Sequence, residues 1–158
     1  MPKDLYKLVT SVSGCLFVGF AGSIATSPSI PTWYATLQKP IFSPPNFVFA
    51  PVWTILYIFM GIAAYLVWKK GLKKKTVIFA LKLFLLQLTL NFLWYIIFFG
   101  FHLPLLALGE IILLWIVISM TTKVFFRIDM YAGLLFIPYL LWVSFATVLN
   151  TSIVLLNK

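Results

Sequence analysis

The sequence is poor in what a water-facing surface needs. Only 9% of its 158 residues are charged, and just three of those, Asp4, Glu110 and Asp129, are acids, too few for an exterior of ordinary soluble makeup. The single cysteine, Cys15, permits no internal disulfide and reads as a small packing residue. The single histidine, His102, excludes a His-rich metal cluster. One carboxylate within an apolar run leaves no second acid for a two-carboxylate hydrolase. A Ser/His/Asp triad would have to be built around His102 in a short loop. No conventional acid–base or nucleophilic site can be written, and no metal is called for. Also missing are a strict G-x-x-x-G, heptads, an internal repeat and matched broken helices, which argues against an alternating-access pump.

What the chain does have is apolar bulk: 63% of residues are hydrophobic and 18% aromatic. Five apolar runs, at 8–27, 47–68, 77–99, 104–124 and 132–155, each suffice for a hydrocarbon core of about 30 Å. Lipid cannot satisfy backbone groups and the runs lack strand-like alternation, so they predict helices. The expectation is an all-α polytopic membrane protein. It has one domain over 1–158 and a long ordered loop, 28–46, between helices 1 and 2.

The formal charge of +9 fits this topology better than it fits nucleic acid, because no folded aqueous face remains to display a phosphate-binding patch. With five helices, Lys3, Lys7, Lys69, Lys70, Lys73, Lys74, Lys75, Lys123 and Arg127 fall on one side, against Lys39 and Lys158 on the other. The positive-inside rule then puts the N-terminus in the cytoplasm of a cell-membrane protein. Lys82, about one turn inside helix 3, would snorkel to the same side. Lys3 and Lys7 before an apolar run, with Ser23 and Ala25 spaced as at a cleavage site, resemble a secretory signal; retention as a first helix is the expectation.

Small residues recur on helix 1 at Cys15, Gly19 and Ser23, a face for close backbone approach. Helix 3 places Gln87, Asn91, Trp94 and Tyr95 on one face, open to two readings: interhelical hydrogen bonding or ligand contact. Helix 5 repeats the pattern with Tyr139, Trp142, Ala146 and Asn150, with Pro138 inside the span. Helix 2 adds Trp53, Tyr57 and Gly61. Trp68 and Trp115 are assigned to the interfacial belt or lipid. Glu110 is either functional, protonated, or paired near the interface with His102.

The ordered run Trp33-Tyr34, Leu37, Lys39-Pro40, Phe42, Pro44-Pro45, Phe49, Pro51-Val52-Trp53 and Tyr57 resembles the translocator protein family. Its members are also called TspO, tryptophan-rich sensory proteins or peripheral-type benzodiazepine receptors. The likeness continues through Gln87, Asn91, Trp94, Glu110, Pro138-Tyr139, Trp142, Ala146, Leu149 and Asn150, and is of the bacterial type. It implies a five-helix protein, commonly a homodimer, that binds porphyrins such as protoporphyrin IX. Some bacterial members resemble light-dependent porphyrin-degrading enzymes, and transport or sensing of porphyrins or sterols is the alternative. The animal C-terminal cholesterol motif cannot be written here, since no Tyr follows Tyr139; Arg127, Tyr131 and Leu134 satisfy only the weak reversed pattern.

From the resemblance and the stripes together, the candidate ligand-binding residues are Trp33, Tyr34, Lys39, Trp53, Tyr57, Gln87, Asn91, Trp94, Tyr139, Trp142 and Ala146. The proline-rich connection is expected to be a stiff lid, because closely spaced prolines fix φ and bias their neighbours to extended backbone. The lid would present Trp33 and Tyr34 to a flat macrocycle, with Lys39 offered to its propionates and Pro51 in the first turn of helix 2. For photo-oxidation of a bound porphyrin, Trp53 and Trp142 are the catalytic candidates. No further cofactor is required, the porphyrin being ligand or substrate.

Overall fold

The computed structural model describes residues 4–158. Among these there is no strand. The chain forms α1 (Leu5–Thr26), α2 (Asn46–Trp68), α3 (Lys75–Tyr95), α4 (Pro104–Ile128) and α5 (Met130–Leu156). Wide π-type turns occur at Ile30–Tyr34 and at Ile96–Gly100, where Tyr34 N–H bonds the Ser29 carbonyl and Phe101 N–H the Ile96 carbonyl, each at 2.8 Å. Each of the five helices is long and apolar enough to cross a bilayer. α4 packs most extensively on α5 and α1 on α2.

Close approach depends on small residues at particular places. A Cβ on Gly61 of α2 would lie 2.5 Å from the Val12 Cα of α1, so only glycine lets those backbones meet. Gly19 and Gly22 of α1 leave room for the rings of Tyr57 and Tyr95 in the same way. Of the small-residue face expected on α1, Cys15 is buried and Gly19 meets Tyr57, but Ser23 is exposed, and the contact with α3 falls instead on Gly22. The rest of α1 is open, with Phe17, Phe20 and Ile24 exposed.

At the lysine-rich end the connections are tighter than the sequence suggested. The expected 125–131 loop shrinks to one extended residue, Asp129, leaving Lys123 and Arg127 in the last turns of α4. The Asp129 carboxylate accepts from the N–H groups of Tyr131 (3.0 Å) and Ala132 (3.2 Å), capping α5. It also pairs with Lys70 at 2.8 Å. The Lys70 hydrogen bond and these two N–H donors hold its pKa below the ordinary aspartate range. α3 begins at Lys75, which sets Lys82 about two turns inside the helix instead of one. Pro51 is likewise not in the first turn: α2 starts at Asn46, and Pro51 stands in its second turn, unable to bond the Phe47 carbonyl.

The 28–46 connection is a lid of two parts. Its first half is coiled, through the Ile30–Tyr34 turn; its second half is extended and bends once, where Ser43 N–H bonds the Pro40 carbonyl at 3.0 Å. Both halves are fastened. Ser29 Oγ donates to the Phe99 carbonyl at 2.7 Å. Gln38 and Asn157 exchange two hydrogen bonds of 2.9 Å, one from the Gln38 N–H and one from the Asn157 amide.

Candidate functional site under the lid

Beneath the lid, α2, α3 and α5 enclose a cavity of about 90 Å³. Its walls are mostly rings: Phe49 and Trp53 from α2, Trp94, Tyr95 and Phe98 from α3 and its terminal turn, and Trp142 from α5. Ala146 is the small residue opposite, and Tyr34 and Ile30 come from the lid. The helical stripes produce this arrangement. Phe49 and Trp53, Trp94 and Phe98, and Trp142 and Ala146 are each four residues apart, so each pair faces the same way. The rings hold one another edge-on or offset: Phe49 on Trp142 with centroids 5.9 Å apart, Trp94 stacked on Phe98 at 5.0 Å. No lining residue carries a formal charge.

Just deeper, the polar side chains of the stripes close on one another. Tyr57 OH donates to Asn91 Oδ1, Asn91 Nδ2 donates to Tyr139 OH at 3.1 Å, and Tyr139 OH donates to Gln87 Oε1 at 2.8 Å. Gln87 Nε2 ends the chain on Met60 Sδ at 3.9 Å. Tyr57, Gln87, Asn91 and Tyr139 are all buried, and none lines the cavity. Of the two readings left open for Gln87 and Asn91, interhelical hydrogen bonding is the one the geometry displays. Trp53 joins the two zones, with its ring 5.7 Å from Tyr57 and 6.2 Å from Tyr139.

Trp33 and Lys39 also stand outside the cavity wall. Trp33 stacks on His102 at 4.4 Å and meets Phe98 edge-on at 5.4 Å. It braces the lid from behind. Since Ser29 Oγ spends its proton on the Phe99 carbonyl, the His102 Nε2 3.2 Å away is the donor in that pair. His102 adopts φ 57°, in the left-handed region that histidine tolerates better than most residues. Lys39 Nζ sits 4.5 Å over the Tyr34 ring and donates to the Leu37 carbonyl at 3.2 Å. His102 is therefore engaged with the lid and not with Glu110, whose two carboxylate oxygens are buried without a partner among the described residues. Trp115 is not simply lipid-facing either: its Nε1 donates to Ser144 Oγ at 2.8 Å, joining α4 to α5.

Of the expected ligand residues, Tyr34, Trp53, Trp94, Trp142 and Ala146 are brought together in the wall. Several wall residues were not singled out as ligand contacts. Asn150 accepts from Trp94 Nε1 at 3.2 Å and donates to the Pro104 carbonyl at 2.9 Å, so its amide is committed to the frame. Asn46 also lines the cavity and makes no side-chain hydrogen bond among the described residues, leaving an amide free at the mouth. Phe49 and Phe98 were visible one step along the stripes of Trp53 and Trp94. Asn46 had a weaker signal, its place immediately after Pro44-Pro45.

A second hollow of about 410 Å³ opens between α1 and α2 and shares Thr26, Ile30, Asn46, Phe49, Trp53 and Tyr95 with the cavity. These shared side chains are the partition between the two spaces. The enclosed cavity alone is smaller than a drug-sized site of roughly 300–1,000 Å³. A tetrapyrrole would fit only with the partition or the lid displaced.

The sequence matches the model of the TspO/MBR family over residues 11–156. It is 46% identical to the tryptophan-rich protein TspO of Archaeoglobus fulgidus, over 98% of this chain and 99% of that one. It is equally identical to the protein of the same name from Chlorobaculum tepidum, over 99% of each chain. Against the human translocator protein it is 42% identical, over 75% of this chain and 70% of the relative. The chain therefore belongs to the TspO/MBR family, and is a multi-pass membrane protein.

Proposed function

We propose that this protein binds a tetrapyrrole, with protoporphyrin IX the leading candidate, in the ring-walled cavity under the lid. The observation that carries the reading is the meeting of Trp53, Trp94, Trp142 and Tyr34 from four separate segments around an uncharged hollow. Flat aromatic walls suit a flat apolar ligand, at about 0.5–1.5 kcal/mol per favourable ring pair beyond area burial. Asn46 supplies a free amide for orientation, and Lys39 at the outer edge of the lid is the cation nearest in sequence for a propionate that reaches past it. Titration of the purified protein with protoporphyrin IX, read by tryptophan fluorescence, tests the reading. Saturable quenching that weakens at least tenfold in both Trp53→Phe and Trp142→Phe is expected. Unchanged titration curves in both variants would rule the site out.

Light-dependent degradation of the bound porphyrin is a second reading, favoured by the two oxidisable indoles, Trp53 and Trp142, in the wall. The ligand would be its own chromophore and dioxygen the oxidant, so no acid–base pair is required. Bleaching under illumination should outpace that of porphyrin in empty micelles and vanish in the dark. Equal rates with and without protein leave binding, sensing or transport of the porphyrin. We further propose a homodimer in the cell membrane with its N-terminus in the cytoplasm. The lysine asymmetry supports that orientation, and protease accessibility of the 69–75 connection in oriented vesicles tests it.

A further inference from the structure

On the lysine-rich end, away from the lid, a trench of about 410 Å³ runs between α1, α2 and α3; its open surface is apolar, although Thr10 and Ser11 are among the residues that line it. Its floor is buried side chains, Cys15, Ala64, Phe84 and Leu88, and its flanks are the exposed Leu72 and Leu85. Along α3 the lining runs from Leu81 to Leu88, a rise of about 10 Å, some two thirds of the roughly 15 Å of one hydrocarbon leaflet, and Leu72 of the preceding connection continues it toward the lysines. The trench is therefore long enough for the upper part of an acyl chain, just below the headgroup level.

Its upper end is set among cations most of which have no internal counter-charge. Leu72 belongs to the connection that carries Lys69, Lys70, Lys73, Lys74 and Lys75, and Lys82 follows Leu81, another trench residue. The described ion pairs are Lys7 with Asp4 and Lys70 with Asp129. The third acid, Glu110, is buried on α4 without a partner. Lys69, Lys73, Lys74, Lys75 and Lys82 thus have no carboxylate to meet. An exposed lysine two turns inside a spanning helix needs an anion or a path to water, and anionic headgroups attract such clusters.

We propose that the α1–α2–α3 trench is a binding site for an anionic phospholipid of the leaflet on the lysine-rich side: one acyl chain lies along Leu72, Leu85 and Leu88, and the phosphate is held by Lys73 and Lys82. The cations alone would attract any anionic surface; the trench makes the site retain one molecule. Gly14 gives a clean way to separate the two contributions. It lines the trench, and a Cβ built there meets nothing within 4 Å, so the side chain of Gly14→Leu starts into open space and takes up trench volume.

The test is native mass spectrometry of the full chain released from detergent with palmitoyl-oleoyl phosphatidylglycerol or the phosphatidylcholine of the same chains. One phosphatidylglycerol should be retained at a concentration at least tenfold lower than phosphatidylcholine. Lys73→Gln/Lys82→Gln should reduce that preference to twofold or less, and Gly14→Leu should abolish the one-lipid adduct while the thermal melting of each variant stays within a few degrees of the parent. Equal retention of the two lipids overturns the proposal. So does a Gly14→Leu variant that keeps the adduct, or retention of chainless glycerol phosphate at the same concentration, since either result means simple surface attraction.

Discussion

Asn91 and Asn150 belong to matching inward stripes, yet they sit in halves of the bundle built differently. Toward the lysines, Met60, Phe125, Phe136 and Tyr139 are fully buried, and the polar atoms among them run in one directed chain from Tyr57 to Met60. Toward the lid, equally large rings stand around a space they do not fill. There the amide of Asn150 serves to fix the Trp94 indole against the end of α4. The difference lies in whether neighbouring helices bring complementary polar groups to the same level. Where they do, the groups satisfy one another and the centre closes; where only rings arrive, their flat faces leave a hollow. A polar residue on an inward stripe is thus no guide to a ligand until its partners are known.

The comparison breaks most visibly at Asn91. Asn91→Leu takes the acceptor from the Tyr57 hydroxyl and one donor from that of Tyr139, which keeps its bond to Gln87, and should cost about 2–3 kcal/mol of stability in denaturant titration. A loss no greater than that in Tyr57→Phe would show that the chain is not a unit. Next in size, Ala146→Phe fills the cavity and should weaken protoporphyrin quenching at least tenfold, a change of about 1.4 kcal/mol. Its thermal midpoint should move little, because the added ring enters space already present.

Ser29→Ala should sharpen the contrast at the lid. It removes the bond to the Phe99 carbonyl and the acceptor for His102, costing about 0.5–1.5 kcal/mol, and stopped-flow release of bound porphyrin should quicken severalfold. The smallest effect is expected at Asp129. Asp129→Asn keeps an N-cap but loses the ion pair with Lys70, costing about 0.2–1 kcal/mol. The aspartate is more acidic folded than unfolded, so its contribution is complete above the unfolded value of about 3.9 and is lost as pH falls through the lower folded one. Parent and variant melting midpoints should accordingly converge in strong acid.

The five helices were legible because each is a run of apolar residues long enough to span, a property of local sequence alone. The aromatic wall was legible where four-residue spacing carried it, as with Trp53, Trp94 and Trp142. Trp33 and Lys39 were drawn toward the ligand because they share a motif with wall residues, but a motif fixes order along the chain and not which side of the lid a residue faces. The place of Tyr57, Asn91, Tyr139 and Gln87 depended on three helices meeting at one depth, information no single stripe contains. Asp129 shortened a loop because its carboxylate could cap α5 and meet Lys70 at once, a coincidence of tertiary contacts.

The paired amide exchange between Gln38 and Asn157 has a mechanical reach beyond its two bonds. It clasps the extended half of the roof to the final turn of α5, the helix that also contributes Trp142 and Ala146 to the chamber below. Ceiling and far wall consequently share one attachment, and any tilt of that helix would be transmitted to both together, changing the height and the width of the chamber in a single movement.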